Sequence, residues 1–124
     1  MLTSQAQLLS DEEEPDMSIT LPKPVAGYFA AENADDTDAL TRCFVEDAVV
    51  LDEGRAIKGI AAIKQWNVES KKKYHHKVVP LKAVERDGKI VVIGKVSGNF
   101  PNSPIDLEHI FQLEGDRIAS LEIR

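Results

Sequence analysis

Hydrophobic positions recur with a helical period in the first half of the chain and alternate in the second. Val25, Tyr28, Phe29 and Glu32 fall on one helical stripe, and Ala26, Ala30 and Ala31 raise helix propensity and allow close packing. Thr20 is placed to cap this helix, which starts near Pro22 and Pro24 because proline is tolerated in a first turn. Asn33-Ala34-Asp35-Asp36 interrupts the stripe. Asp36 then caps a second helix, with Asp38 in its first turn and Leu40, Cys43 and Phe44 on its buried side. Ala48-Val49-Val50-Leu51 reads as a short strand ended by Asp52-Glu53-Gly54, with a polar loop to Gly59. From Gly59 a third helix places Ile60, Ile63, Trp66 and Ser70 along one stripe and runs out near Lys73.

The remainder reads as a β-meander with strands at about 76–86, 89–99, 105–114 and 117–124. Asp87-Gly88 and Glu114-Gly115-Asp116 supply hairpin turns, and Asn99 to Pro104 a longer one. Pro80 marks a bulge or an edge position in the first long strand. Three leading helices and a curved, mainly antiparallel sheet imply an α+β fold with helices on one sheet face, a setting that can enclose a cone-shaped cavity for a small ligand.

Composition narrows the function classes. The chain has 124 residues, 43% hydrophobic and 29% charged, as in a soluble domain with a core of its own. No apolar run approaches the roughly 20 residues that span a bilayer, and no signal-peptide pattern opens the chain. The single cysteine, Cys43, forms no intrachain disulfide, so the cytoplasm is the expected location. Cys43 reads as a small core residue, because nothing nearby in sequence would lower its pKa. The net charge of -6 sits mostly in Asp11, Glu12, Glu13, Glu14 and Asp16, which leaves 15 basic against 16 acidic side chains in the rest. That balance argues against a nucleic-acid surface. Residues 1–20 read as a flexible acidic arm ahead of one domain over 21–124, and Met17 is a candidate initiator. Lys71, Lys72, Lys73 and Lys77, beside His75 and His76, read as a solvated helix end. His75 and His76 are adjacent, so on a strand they point to opposite faces and cannot chelate together. No zinc, Walker, dinucleotide or GxSxG pattern occurs; neither a metal nor a cofactor is expected.

Four segments resemble the nuclear transport factor 2-like superfamily, in particular its SnoaL-like and ketosteroid-isomerase-like (cystatin-like) members. They are Tyr28 to Asp36, Phe44 to Val49, Gly59 with Ala62-Ile63, and Phe111-Gln112-Leu113 followed by Gly115-Asp116-Arg117-Ile118. The resemblance implies the cone-shaped fold, frequent homodimers formed through the sheet face, and one of several activities, including isomerases, polyketide cyclases and dehydratases. It also places Tyr28 where ketosteroid isomerases hold an oxyanion-donating tyrosine and Asp52 where they hold the general base. His109 stands where they hold a protonated acid, and that is a departure.

On their own terms the residues admit both a functional and a structural reading. Asp52 shares strand parity with Ala48 and Val50, so an inward face would bury it and raise its pKa toward that of a usable base. The bland alternative is a solvated carboxylate at a strand end. Tyr28 is either an oxyanion donor or an amphipathic ring of the core. His109 alternates with Leu107, Phe111 and Leu113, which sends its imidazole to the apolar side as a core residue, a proton shuttle or a donor to a carbonyl. Phe29, Trp66, Val96 and Phe111 are candidate pocket-lining residues. Two functions remain open: a cofactor-independent isomerase, cyclase or dehydratase that abstracts a proton next to a carbonyl of an apolar or cyclic substrate, or a ligand-binding or dimerisation module without turnover. Epoxide hydrolysis lacks its Asp-Arg-Asp set, since Arg86 and Arg117 fall near turns.

Overall fold

The structure is a computed structural model that describes residues 20–124. The arm expected over 1–20 lies, apart from Thr20, outside the described residues, as does Met17. Helix α1 spans Lys23–Asn33 with Pro22 at its N-cap; no side chain caps it, so Thr20 does not take the expected role. The proline in the first turn has no N–H to leave unpaired. Asp36 does cap α2 (Thr37–Thr41), accepting from the Ala39 N–H at 3.0 Å. That helix is shorter than its polarity pattern suggested. Phe44 opens strand β1 (Phe44–Asp52) instead, because its backbone is drawn beside Ile118 of the last strand.

β1 turns directly into β2 (Arg55–Lys58), a strand within the segment read as a polar loop. Only Ile57 of its four residues is buried, so no alternation announces it. Helix α3 covers Ile60–Tyr74 and ends on His75, whose φ of 49° is left-handed. Strands β3 (Lys77–Arg86), β4 (Lys89–Ser97), β5 (Ile105–Glu114) and β6 (Arg117–Ile123) form the expected meander within a residue or two. Pro80 lies on edge strand β3, where the register also shifts between Pro80 and Lys82.

The sheet order is β2-β1-β6-β5-β4-β3. All neighbours are antiparallel except β1 and β6, so the six-stranded sheet is mixed. The helices pack on it, α3 against β1 and β2, and α1 against β3 and β6. The third helix thus follows a two-stranded hairpin, where the sequence suggested one short strand and a polar loop before it. Asn33 ties the end of α1 to the edge strand: its amide donates to the Val78 carbonyl at 2.7 Å and accepts from the Val78 N–H at 2.9 Å. In the core the Tyr28 ring meets Phe29, Phe44 and Phe111 edge to face, with centroids 5.2, 6.0 and 5.5 Å away. Among the described residues, no helix is long and apolar enough to cross a membrane.

Candidate functional site

A cavity of about 250 Å³ opens between the helices and the sheet. Tyr28 and Glu32 of α1, one turn apart, line one side, and Trp66, Ser70 and Tyr74 of α3, spaced four apart, line another. The sheet contributes Asp52, Val96, Leu107 and His109. Tyr28, Asp52 and His109 therefore border one space. Of the four candidate lining residues, Trp66 and Val96 reach it. Phe29 and Phe111 do not; they are buried behind it, where Phe29 supports the His109 ring edge to face at 5.4 Å. Their strand or helix phase is inward, but the core rather than the cavity lies at their depth.

Asp52 ends β1 on the face of the buried Ala48 and Val50. Burial raises its pKa, against the hydrogen bond that it accepts from Trp66 Nε1 at 2.9 Å; the Glu53 charge adds to the rise. Tyr28 is only 1% exposed, and its ring is packed edge to face among Phe29, Phe44 and Phe111. Burial first, then the Glu32 and Asp52 charges, lift the phenol well above its ordinary value, so it stays a donor. His109 is pushed down to about 4 by burial, which the carbonyls of Leu107 and Val92 only partly offset. Its Nδ1 lies 3.2 Å from the Leu107 carbonyl oxygen. A carbonyl only accepts, so Nδ1 carries the proton and Nε2 of the neutral ring keeps a lone pair. In that tautomer Nε2 can accept a hydrogen bond but not donate one.

Glu32, Glu53 and His76 also border the cavity, which the residue order does not announce. Glu32, 4% exposed, pairs with His76 Nε2 through one oxygen and accepts from Asn67 Nδ2 at 2.8 Å through the other. Asn67 in turn accepts from Thr37 Oγ1 at 2.7 Å. Burial pushes the Glu32 carboxyl up, but the bonds and charges of His76, Asn67 and Lys71 hold it below its ordinary value. Lys71, read as part of a solvated run, is instead largely enclosed, donating to the carbonyls of Glu32 and His76 and pairing with Asp35 at 2.9 Å. The expected opposition of His75 and His76 across a strand also fails. His75 caps α3 in the left-handed region, β3 starts only at Lys77, and His76 turns into the cavity. Cys43 is half-buried and burial raises its thiol pKa, consistent with a packing role. No group of three metal-binding side chains converges among the described residues.

A SnoaL-like domain model matches residues 25–121, most of the chain. The chain belongs to the SnoaL-like family. This SnoaL-like chain is 43% identical to a proposed polyketide cyclase from Sinorhizobium meliloti, over 88% of this chain and 98% of that one, with a TM-score of 0.82. A Catenulispora acidiphila protein with a ketosteroid isomerase-like fold, solved with trimethylamine, aligns at 20% identity over 85% of this chain and 86% of that one, TM-score 0.74. TerC, crystallised with polyporic acid, aligns at 14% identity over 90% and 91% of the two chains, TM-score 0.72. No curated protein matches the sequence. The family assignment supports the α+β, cystatin-like fold expected from the sequence.

Proposed function

We propose that this SnoaL-like domain binds a small carbonyl compound and moves a proton next to the carbonyl, as an isomerase, cyclase or lyase does. One observation carries the reading: a carboxylate with a burial-raised pKa, Asp52, lines the same cavity as the buried phenol of Tyr28. Asp52 takes the Cα proton, and the charge that develops on the carbonyl oxygen is met by the Tyr28 hydroxyl, whose cost of ordering is already met by the core aromatics around it. His109, neutral at physiological pH, accepts from a substrate hydroxyl or relays a proton through Nε2. The identity with the Sinorhizobium meliloti protein supports cyclase-type chemistry, and the two ligand-bound neighbours support a small-molecule site in this fold.

The test uses phenols as enolate mimics. Asp52→Asn copies the protonated carboxyl of the intermediate state, so it should bind a phenol about tenfold more tightly than the parent protein does, ~1.4 kcal/mol. Adding Tyr28→Phe should cancel the gain. Equal or weaker binding by Asp52→Asn, or a gain that survives loss of the Tyr28 hydroxyl, would remove the proton-transfer reading and leave a binding module.

A further inference from the structure

The turn after β1 places two consecutive carboxylates on one cavity, which strand geometry alone would forbid. Alternation sends Asp52 inward and its neighbour outward. Glu53 instead adopts a φ of 52°, followed by Gly54 at 75°, and both Asp52 and Glu53 border the cavity. Two positive φ values suit the tight hairpin, but Asn, Asp or Gly would serve the first of them at less cost than glutamate. Facing them, α3 presents Trp66 and Tyr74, two helical turns apart. Trp66 Nε1 donates to Asp52 at 2.9 Å and the Tyr74 hydroxyl donates to Glu53 at 3.2 Å, so each carboxylate is held beside an aromatic ring. Phe100 extends the apolar wall, edge to face with Tyr74 at 6.0 Å. Lys73 Nζ, outside the cavity lining, already lies 5.1 Å from the Tyr74 ring centroid, a cation drawn to this corner.

The charge balance has one sign. Among the described residues no lysine or arginine lines the cavity, whereas three carboxyl groups do; Glu32 pairs with His76, and Asp52 feels Arg55 and His76 only through space, without an ion pair. The buried Tyr28 borders the same cavity. Aromatic rings beside carboxylates with no lysine or arginine in the wall attract a weakly hydrated cation and repel an anion.

We propose that the Asp52–Glu53 end of the cavity, walled by Trp66 and Tyr74, seats an ammonium group, so that the ligand is a cationic amine rather than a carboxylate or phosphate. This rests on the reading of the cavity as the ligand site, and holds whether or not the ligand is turned over.

Three probes of one shape decide it: choline, its neutral isostere 3,3-dimethylbutan-1-ol, and the anionic 3,3-dimethylbutanoate. Trp66 is the only tryptophan, so its fluorescence and its single indole N–H resonance report binding at this wall. Choline should bind about tenfold more tightly than the alcohol, with the carboxylate weakest, and the preference should shrink as salt rises. Glu53→Gln, at an exposed turn where folding is not at stake, should weaken choline about threefold and leave the alcohol unchanged. Absence of choline binding, equal affinity for choline and the alcohol, or a choline affinity indifferent to Glu53→Gln overturns the proposal. The phenol experiment fails independently, since it reads the Asp52 proton and the Tyr28 hydroxyl.

Discussion

Asp52 is set by its neighbours as much as by its place on a strand. The indole N–H of Trp66 favours the ionised carboxylate, while burial opposes it. Trp66→Phe keeps an aromatic wall and removes the donor, so the Asp52 pKa should rise further; a carboxyl-carbon NMR titration that finds it unchanged or lower would refute this balance. The strand parity that pointed Asp52 and His109 inward was readable from residue order alone. Glu32, Glu53 and His76 were not. Glu32 and His76 are 44 positions apart and pair only in the folded chain, and the last two face the cavity through left-handed residues that a period-two pattern does not anticipate. The one signal for Glu32 was its place on an apolar stripe, where a carboxylate needs a buried partner.

Among the elements, hairpins and α3 were legible because local chemistry decides them. Asp87-Gly88, for instance, takes the two positive φ values that its turn requires. The β1 boundary and all of β2 were illegible, since the pairing of Phe44 with Ile118 and of Arg55–Lys58 with β1 comes from distant strands. Gly94 on β4 shows how neighbouring elements dictate a residue. A methyl group there would lie 2.7 Å from Val78 Cγ2 and 3.1 Å from His109 Cε1. The glycine therefore makes room for His109 rather than for ligand. Gly94→Ala should cost about 1–3 kcal/mol in urea denaturation and shift the His109 ring resonances; a variant of parental stability with unmoved resonances would show the contact to be slack.

At the scale of the molecule, the buried acid–base groups make stability fall toward acid. The unfolded chain protonates His109 near its ordinary 6.5, whereas the folded ring resists until about 4. Stability is therefore lost as pH drops through that window, by about 2 kcal/mol between pH 7 and pH 5. Glu32 adds to the loss at lower pH: its folded pKa is depressed, so its contribution is present above the ordinary carboxylate value and disappears as pH falls through the folded one. Denaturation at the two pH values should show the decline in the parent and remove most of it in His109→Leu. A flat profile, or the same decline in the variant, would contradict a buried neutral histidine.

The parallel pairing of β1 with β6 carries a consequence for how the chain reaches this state. β6 is the last strand in order, yet it lies between β1 and β5, and Ile123 at its end borders the cavity. The Ile118 N–H bonds the Cys43 carbonyl at 2.8 Å, joining segments 75 positions apart. The β3–β4–β5 meander can form from near neighbours, but the β1–β2 hairpin must wait for β6 to join it to that meander, closing a loop that spans most of the sequence. Within the sheet, Asp52 and His109 are thus joined only through β6, which is the common wall of the two halves of the site.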